Sequence, residues 1–517
     1  MSNNAFNTLE RSGLYLTVFF TGASVMVIEL LGTRMIAPFY GASLYVWSSL
    51  ISVTMMALAI GYFVGGRWAD RAKHTGLSLI IALAAVLTLL IPWLVRPVLL
   101  ATDPLGLRLG ALVSALVLFL PSLTMLGMVG PFAIKLATSR LDGVGSSAGS
   151  IYAVSTLGSV AGTLFLGFYL FPLLGSREIF IGAGLFLLAL SVLLAIFEQK
   201  RLAMRSAIIS SLSLLIIGLG LLPNIVGAGH LQHGGDKFNI LSEQESLYGW
   251  VRVIDQPAHN LRMLTSDASM IGAAGITDGG NRLSYQDIVG TIPAIRPGMK
   301  RALIVGLGAG KMVEVLRDRY RIETDTLEID PAVAEAASRY FGFDPAGKNI
   351  IGDARYEIRH LKGPYDLIIH DCFTGGSEPA HLLTVETLQQ LKGLLSERGI
   401  LAINFVSFAE GQDNLALPSV AKTVDQVFPH QSLFISEPGK DFNDFIFLAS
   451  SQPIDLEAIS LFADQVDWLK QRKFQVDKAR GVLLTDNLNP LEYLQVKKSE
   501  HYRSVLVDWF GADLLVR

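Results

Sequence analysis

Cysteine is nearly absent: Cys372 is the only one in 517 residues, so no internal disulfide can form, and a reducing compartment fits. Charge is sparse as well, at 17% of the chain, and unevenly placed. Residues 1–230 hold 13 of the 42 Lys and Arg and only 7 of the 45 Asp and Glu. The first part is therefore apolar and slightly basic, and the remainder is acidic and resembles a soluble protein. No basic patch with interleaved aromatics is present, which excludes nucleic acid as an expected partner. No metal is expected. The length implies two or three domains.

What the first part has in abundance is long apolar runs. Seven follow one another, at about 14–36, 44–64, 77–97, 109–134, 150–174, 178–197 and 206–224. Most reach the roughly 20 residues that carry a helix across a bilayer. The first contains Glu29 and Arg34 and has no small-residue cleavage pattern, so it does not read as a removable signal. Basic residues collect on one side of the literal spans (Arg11, Arg67, Arg71, Lys135 and Arg205 among them), which puts the N-terminus in the cytoplasm. Seven crossings would then place the rest of the chain outside, away from a cytoplasmic ligand supply. The expectation is a multi-pass inner-membrane protein with a cytoplasmic soluble domain, one apolar stretch being re-entrant or split. Glu29 and Arg34 mark either an intramembrane site or a paired and a snorkelling charge. Ser155, Gly158, Ser159 and Gly162 in the fifth stretch predict close helix packing.

The second part is organised around Arg301 to Glu328. An apolar run (Ala302 to Val305) meets a glycine turn at Gly306, Gly308 and Gly310, a helical pattern follows, and an apolar strand closes on Glu328. Such a turn lets backbone approach a ligand, and a carboxylate about 20 residues on can accept hydrogen bonds from both ribose hydroxyls. Strands then alternate with helices through Asn349–Ile351, Asp366–Asp371 and Gly399–Phe405, which predicts a doubly wound α/β (Rossmann-like) domain. Before it, Ile240–Asp255 and Leu261–Met270 alternate apolar and polar residues as a small β-hairpin would. The expected division is a transmembrane domain over 1–225, a glycine-rich linker over 226–237, a hairpin subdomain over 238–290 and a catalytic domain over 291–517. Four ligand candidates fall at successive strand ends: the glycine turn, Glu328, Asp353 and Asp371.

These residues carry a resemblance. SYQDI (284–288), VGLGAGKMVEVL, LEIDPAV, GDARYEI and YDLIIHD followed by EPAHLLTVETL are similar to motifs of the spermidine synthase family of aminopropyltransferases. ELLGTRMIAPFYGASLYVWSSLI, GYFVGGRWADR and LLTDNLNPLE resemble the bacterial form fused to a membrane segment. The resemblance implies an S-adenosyl-dependent transferase fold, decarboxylated S-adenosylmethionine as co-substrate, a small amine acceptor with putrescine as the family default, and a homodimer. It implies that Glu328 holds ribose, that Asp353 holds the adenine amino group, and that Tyr285, Gln286 and Asp371 serve the reacting end. Two positions depart from the family: Ala309 stands where an Asp binds the aminopropyl nitrogen, and Thr374 where a second Asp grips the polyamine. Glu378 or Asp486 are candidates to replace a lost carboxylate. Two alternatives stay open, methyl transfer from intact S-adenosylmethionine and a non-catalytic polyamine or nucleoside sensor or transporter.

Overall fold

The structure, a computed structural model, describes residues 8–41, 43–71, 76–138, 143–197, 230–233, 236–373, 375–411, 414–456 and 463–516. It divides into two units, residues 1–228 with 512–517, and residues 229–511.

In the first unit, six long helices cover the first six apolar stretches: α1 (Thr8–Tyr40), α2 (Leu44–Arg71), α3 (Leu77–Thr102), α4 (Gly106–Ala137), α5 (Val144–Phe165) and α6 (Ser176–Phe197). The seventh stretch, 206–224, lies outside the described residues. Among the described residues, five uninterrupted helical runs are long and apolar enough to cross a membrane; the 61-residue run Leu77–Ala137 holds both α3 and α4, joined at the turn Asp103–Leu105. The small residues of α5 do bring backbones together. A Cβ on Gly158 would overlap the Phe19 carbonyl, one on Gly22 the Ser155 carbonyl, and the Ser159 hydroxyl donates to the Gly22 carbonyl at 3.0 Å. Arg34 lies over the Phe171 ring, 4.6 Å from its centre. Ile51, Met55, Phe63, Leu157, Val160 and Leu164 are exposed, an apolar surface that water does not favour.

In the second unit, the hairpin expected from the sequence is a five-stranded antiparallel sheet of β1 (His230–His233), β2 (Asp236–Glu245), β3 (Trp250–Gln256), β4 (Leu261–Ser266) and β5 (Ser269–Gly275), in that order. The stretch expected as a linker therefore contains β1 and the start of β2. Their polar composition hid them, because an edge strand such as β1 needs no apolar face to pair its backbone, as His233 does opposite Asp236.

The main sheet has the order β13-β11-β12-β10-β9-β6-β7-β8. Five strands are parallel: β8 (Asn349–Ile351), β7 (Glu323–Glu328), β6 (Arg301–Val305), β9 (Tyr365–His370) and β10 (Leu395–Phe408). On the far side, β12 (Phe442–Ser450), β11 (His430–Ile435) and β13 (Lys473–Phe474) are antiparallel. Both faces are buried, which is why the strands read as continuous apolar runs. Leu303 and Val305 enter one core with Ile368, Leu401 and Phe445, and Ala302 and Ile304 enter the other with Leu367, Ala402 and Ile446. The strand order reverses between β6 and β9, where the carboxyl ends open a crevice for a ligand.

Candidate active site

The crevice is built by the glycine turn first. Gly306, Gly308 and Gly310 have φ of 96°, 52° and 72°, backbone that other residues adopt only with strain. At Gly306 any side chain would also overlap the Asp371 carbonyl. The turn therefore presses the ends of β6 and β9 together, then starts the helix Lys311–Tyr320 from Gly310.

At the end of β7, Glu328 is buried and held at both oxygens. The Leu307 N–H donates to Oε2 and the Asp330 N–H to Oε1, each at 3.0 Å. Burial raises its pKa, and those backbone donors pull it back. Each oxygen keeps a lone pair for a ligand hydroxyl. Asp330 caps the helix Pro331–Phe341, accepting from the Ala332 N–H at 2.9 Å. Asp353, after β8, caps the next short helix through the Tyr356 N–H at 2.9 Å.

Asp371 follows β9 and is gripped from two sides. The Tyr285 hydroxyl donates to Oδ2 at 2.5 Å, and the Asn404 amide donates to Oδ1 at 3.0 Å. Burial pushes the Asp371 pKa up, while those two donors lower it. Burial and the neighbouring Asp371 charge raise Tyr285 well above its usual range, so the phenol keeps its proton and donates. Gln286 donates to the Tyr285 hydroxyl at 3.1 Å, which makes it a support for Tyr285.

Tyr285, Gly306, Gly308, Glu328, Asp353 and Asp371 line one cavity of about 690 Å³. Gly310 and Gln286 stand behind that lining. The two candidate replacement acids do not reach it. Glu378 is buried against Lys498, and Asp486 is bound to Arg355. Thr374 lies outside the described residues. Ala309 is also not in the wall; it packs in the apolar cluster of Val251, Leu264, Ala274 and Val333.

Several wall residues were not anticipated from the sequence. Asn404 and Asp444 come from β10 and β12, where each is a polar residue interrupting an apolar strand. Phe373, Phe442, Tyr502 and Trp509 supply aromatic wall. Tyr502 and Trp509 belong to the helix Val496–Phe510, which is tied to the small sheet by a Met270 N–H to Tyr502 hydroxyl bond at 3.0 Å and a Trp509 to Gln256 bond at 3.2 Å. Burial raises the Asp444 pKa to about 7, with the Asp371 charge adding to it.

No family model matches the chain. A polyamine aminopropyltransferase of Vibrio vulnificus is 35% identical over 185 residues, covering 34% of this chain and 62% of that protein. By sequence, the chain is a relative of the polyamine aminopropyltransferases. An N-terminal histidine N-methyltransferase of Emericella nidulans is 29% identical over 400 residues, covering 67% of this chain and 66% of that protein. This chain thus spans just under two thirds of the length of either relative. A solved spermidine synthase of Thermotoga maritima aligns at 19% identity over 46% of this chain and 85% of its own, with a TM-score of 0.37.

Proposed function

We propose that the soluble unit is an aminopropyltransferase that moves the aminopropyl group of decarboxylated S-adenosylmethionine to a small polyamine-type amine such as putrescine. The carrying observation is the Tyr285–Asp371–Asn404 arrangement in the wall of a cavity that Glu328, Asp353 and the glycine turn also line. The acceptor nitrogen attacks the methylene carbon beside the sulfonium and forms a C–N bond. The C–S bond breaks, its electron pair returns to sulfur, and neutral methylthioadenosine leaves. The proton lost by the nitrogen passes to Asp371, a role that its position and raised pKa suit. Six wall carboxylates (Glu328, Asp330, Asp353, Asp371, Glu437 and Asp444) against two permanent cations, Arg282 and Lys440, favour positively charged ligands. The test is release of methylthioadenosine by the purified protein given decarboxylated S-adenosylmethionine and putrescine; silence over a panel of amines would sink the reading.

Glu328 gives a sharper check on the nucleoside end. In Glu328→Gln, the side-chain NH₂ must face a backbone N–H of Leu307 or Asp330, leaving buried donors opposed. Methylthioadenosine affinity is expected to fall by about 10- to 100-fold, measured by calorimetry on variant protein with an unchanged melting profile. An affinity within about threefold of wild type would remove Glu328 from the ribose role.

A second reading has its own support. Ala309 contributes no carboxylate to the cavity, so nothing at that position selects against the carboxylate of intact S-adenosylmethionine. Together with the methyltransferase relative, this favours methyl transfer to an amine as the competing chemistry. Calorimetry with the two cofactors separates them. The aminopropyl reading expects the decarboxylated form to bind at least about tenfold tighter, and the reverse order selects methyl transfer.

The apolar helices α1 to α6, with their exposed apolar side chains, support a multi-pass bilayer anchor in the inner membrane. If α1 to α6 each cross, the chain is back by residue 197 on the side where α1 begins, with the seventh apolar stretch, 206–224, still to come before the second unit. The supply of an adenosyl ligand favours a cytoplasmic soluble unit, and a homodimer remains what the family resemblance implies.

A further inference from the structure

Against the family pattern, Ala309 and Thr374 lack the two acids expected to hold a cationic acceptor, and the two candidates the sequence offered in their place do not line the cavity. Glu378 is spent on Lys498 and Asp486 on Arg355. Of the acids that do line the cavity, Glu328 holds two backbone donors, Asp330 and Asp353 cap helices, and Glu437 is paired with Lys440. Asp444 is different. It stands on β12 opposite Val406 of β10, near the Asn404 amide that holds Asp371, and Lys498 also faces it. Asn404 Oδ1 is buried without a hydrogen-bond partner among the described residues. Beside these acceptors stand the rings of Phe373 and Phe442, packed on Tyr502 with centres 5.0 and 6.3 Å from its own.

We infer that Asp444, with Asn404 Oδ1 and the rings of Phe373, Phe442 and Tyr502, forms the subsite for a second, cationic nitrogen of the acceptor. Asp371 would hold the reacting nitrogen. The inference rests on reading the cavity as a transferase site, and adds the residue that selects its acceptor. A carboxylate in a cavity lined by aromatic rings is chemistry that recognises an ammonium group, chiefly by Coulomb attraction. The acceptor class is a diamine, or another amine with a second cationic nitrogen a few bonds from the first.

Acidity provides an independent handle. Burial and the charge of Asp371 make the Asp444 carboxyl hold its proton up to about pH 7, and Glu378 and Glu437 push the same way. Lys498, Tyr285 and Tyr502 also face it. A bound ammonium favours the ionised form, so acceptor affinity must fall as pH drops through that range.

The test uses the full chain in detergent. Putrescine and n-pentylamine, each six heavy atoms long but with two nitrogens and one, are titrated into wild type and Asp444→Asn, with and without methylthioadenosine. Wild type should prefer putrescine by roughly tenfold or more, and the variant should lose that preference while binding methylthioadenosine unchanged. Wild-type putrescine affinity should weaken from about pH 8 to about pH 6, and the variant should be flat. Asp444→Glu should retain part of the preference. A variant that keeps the wild-type ratio, or a wild type with no ratio, overturns the role of Asp444. Failure of wild type to bind methylthioadenosine instead overturns the transferase reading, and the amine ratio still decides Asp444.

Discussion

Asp371→Asn is expected to lower the rate of group transfer by about 10²- to 10⁴-fold while leaving nucleoside affinity nearly unchanged. The amide is close to isosteric with the carboxylate, so the wall keeps its shape. It cannot take the proton that the acceptor nitrogen loses. It also upsets the local bonding, since the Tyr285 hydroxyl and the Asn404 amide both donate to Asp371 and one of them would meet an NH₂ group. The measurement is single-turnover release of methylthioadenosine at saturating amine, with methylthioadenosine binding as the control. The same loss is expected if the transferred group is a methyl, because an amine acceptor sheds a proton in either chemistry. A non-catalytic sensor has no turnover to lose, and a variant retaining more than about a tenth of the wild-type rate would take Asp371 out of the proton-accepting role.

The parts of this site that could be read from the sequence share one property. Gly306, Gly308, Glu328, Asp353 and Asp371 each sit at the carboxyl end of a parallel strand, so the apolar run that announces the strand also announces where its ligand end lies. Asn404 and Asp444 gave no comparable signal. They meet because β12 runs antiparallel against β10, and that pairing places Asp444 two residues along the ladder from Asn404's own partner, Ile446. Glu378 was misjudged for a related reason: its partner Lys498 is 120 residues away on a helix that no local pattern ties to it. The small sheet was undercounted because β1 and β2 carry polar residues where a buried strand would carry apolar ones. Ala309 shows the limit of reading a motif position by analogy. The departure from the family pattern was visible, but its side chain contributes to the apolar contact between the glycine turn and the small sheet, where Gly272 leaves room for it.

The largest effect on stability is expected from Lys498→Met. Lys498 and Glu378 are buried with side chains 3% and 1% exposed, and they are tied into a closed set of bonds. The Val406 N–H donates to Glu378 Oε1 at 2.8 Å, and Gln495 accepts from both Lys498 and the Glu378 N–H. Removing the ammonium strands a carboxylate inside the protein, which costs about 3–5 kcal/mol and lowers the melting temperature of the second unit by roughly 10 °C. The sign of its pH dependence follows from burial, which already raises the Glu378 pKa and which Lys498 opposes. Without Lys498 the folded state prefers the protonated acid more strongly. The destabilisation should therefore be small near the ordinary carboxyl pKa and grow as pH rises above it. Glu378→Gln in the same chain removes the stranded charge, keeps an acceptor for the Val406 N–H, and should recover most of the loss. Lys498 also lies on the helix that carries Tyr502 and Trp509 to the cavity, so the single variant should lose amine affinity together with stability. Thermal unfolding of the single and double variants at two pH values decides the matter. A Lys498→Met protein melting within about 2 °C of wild type at neutral pH would mean that the pair does not hold that wall in place.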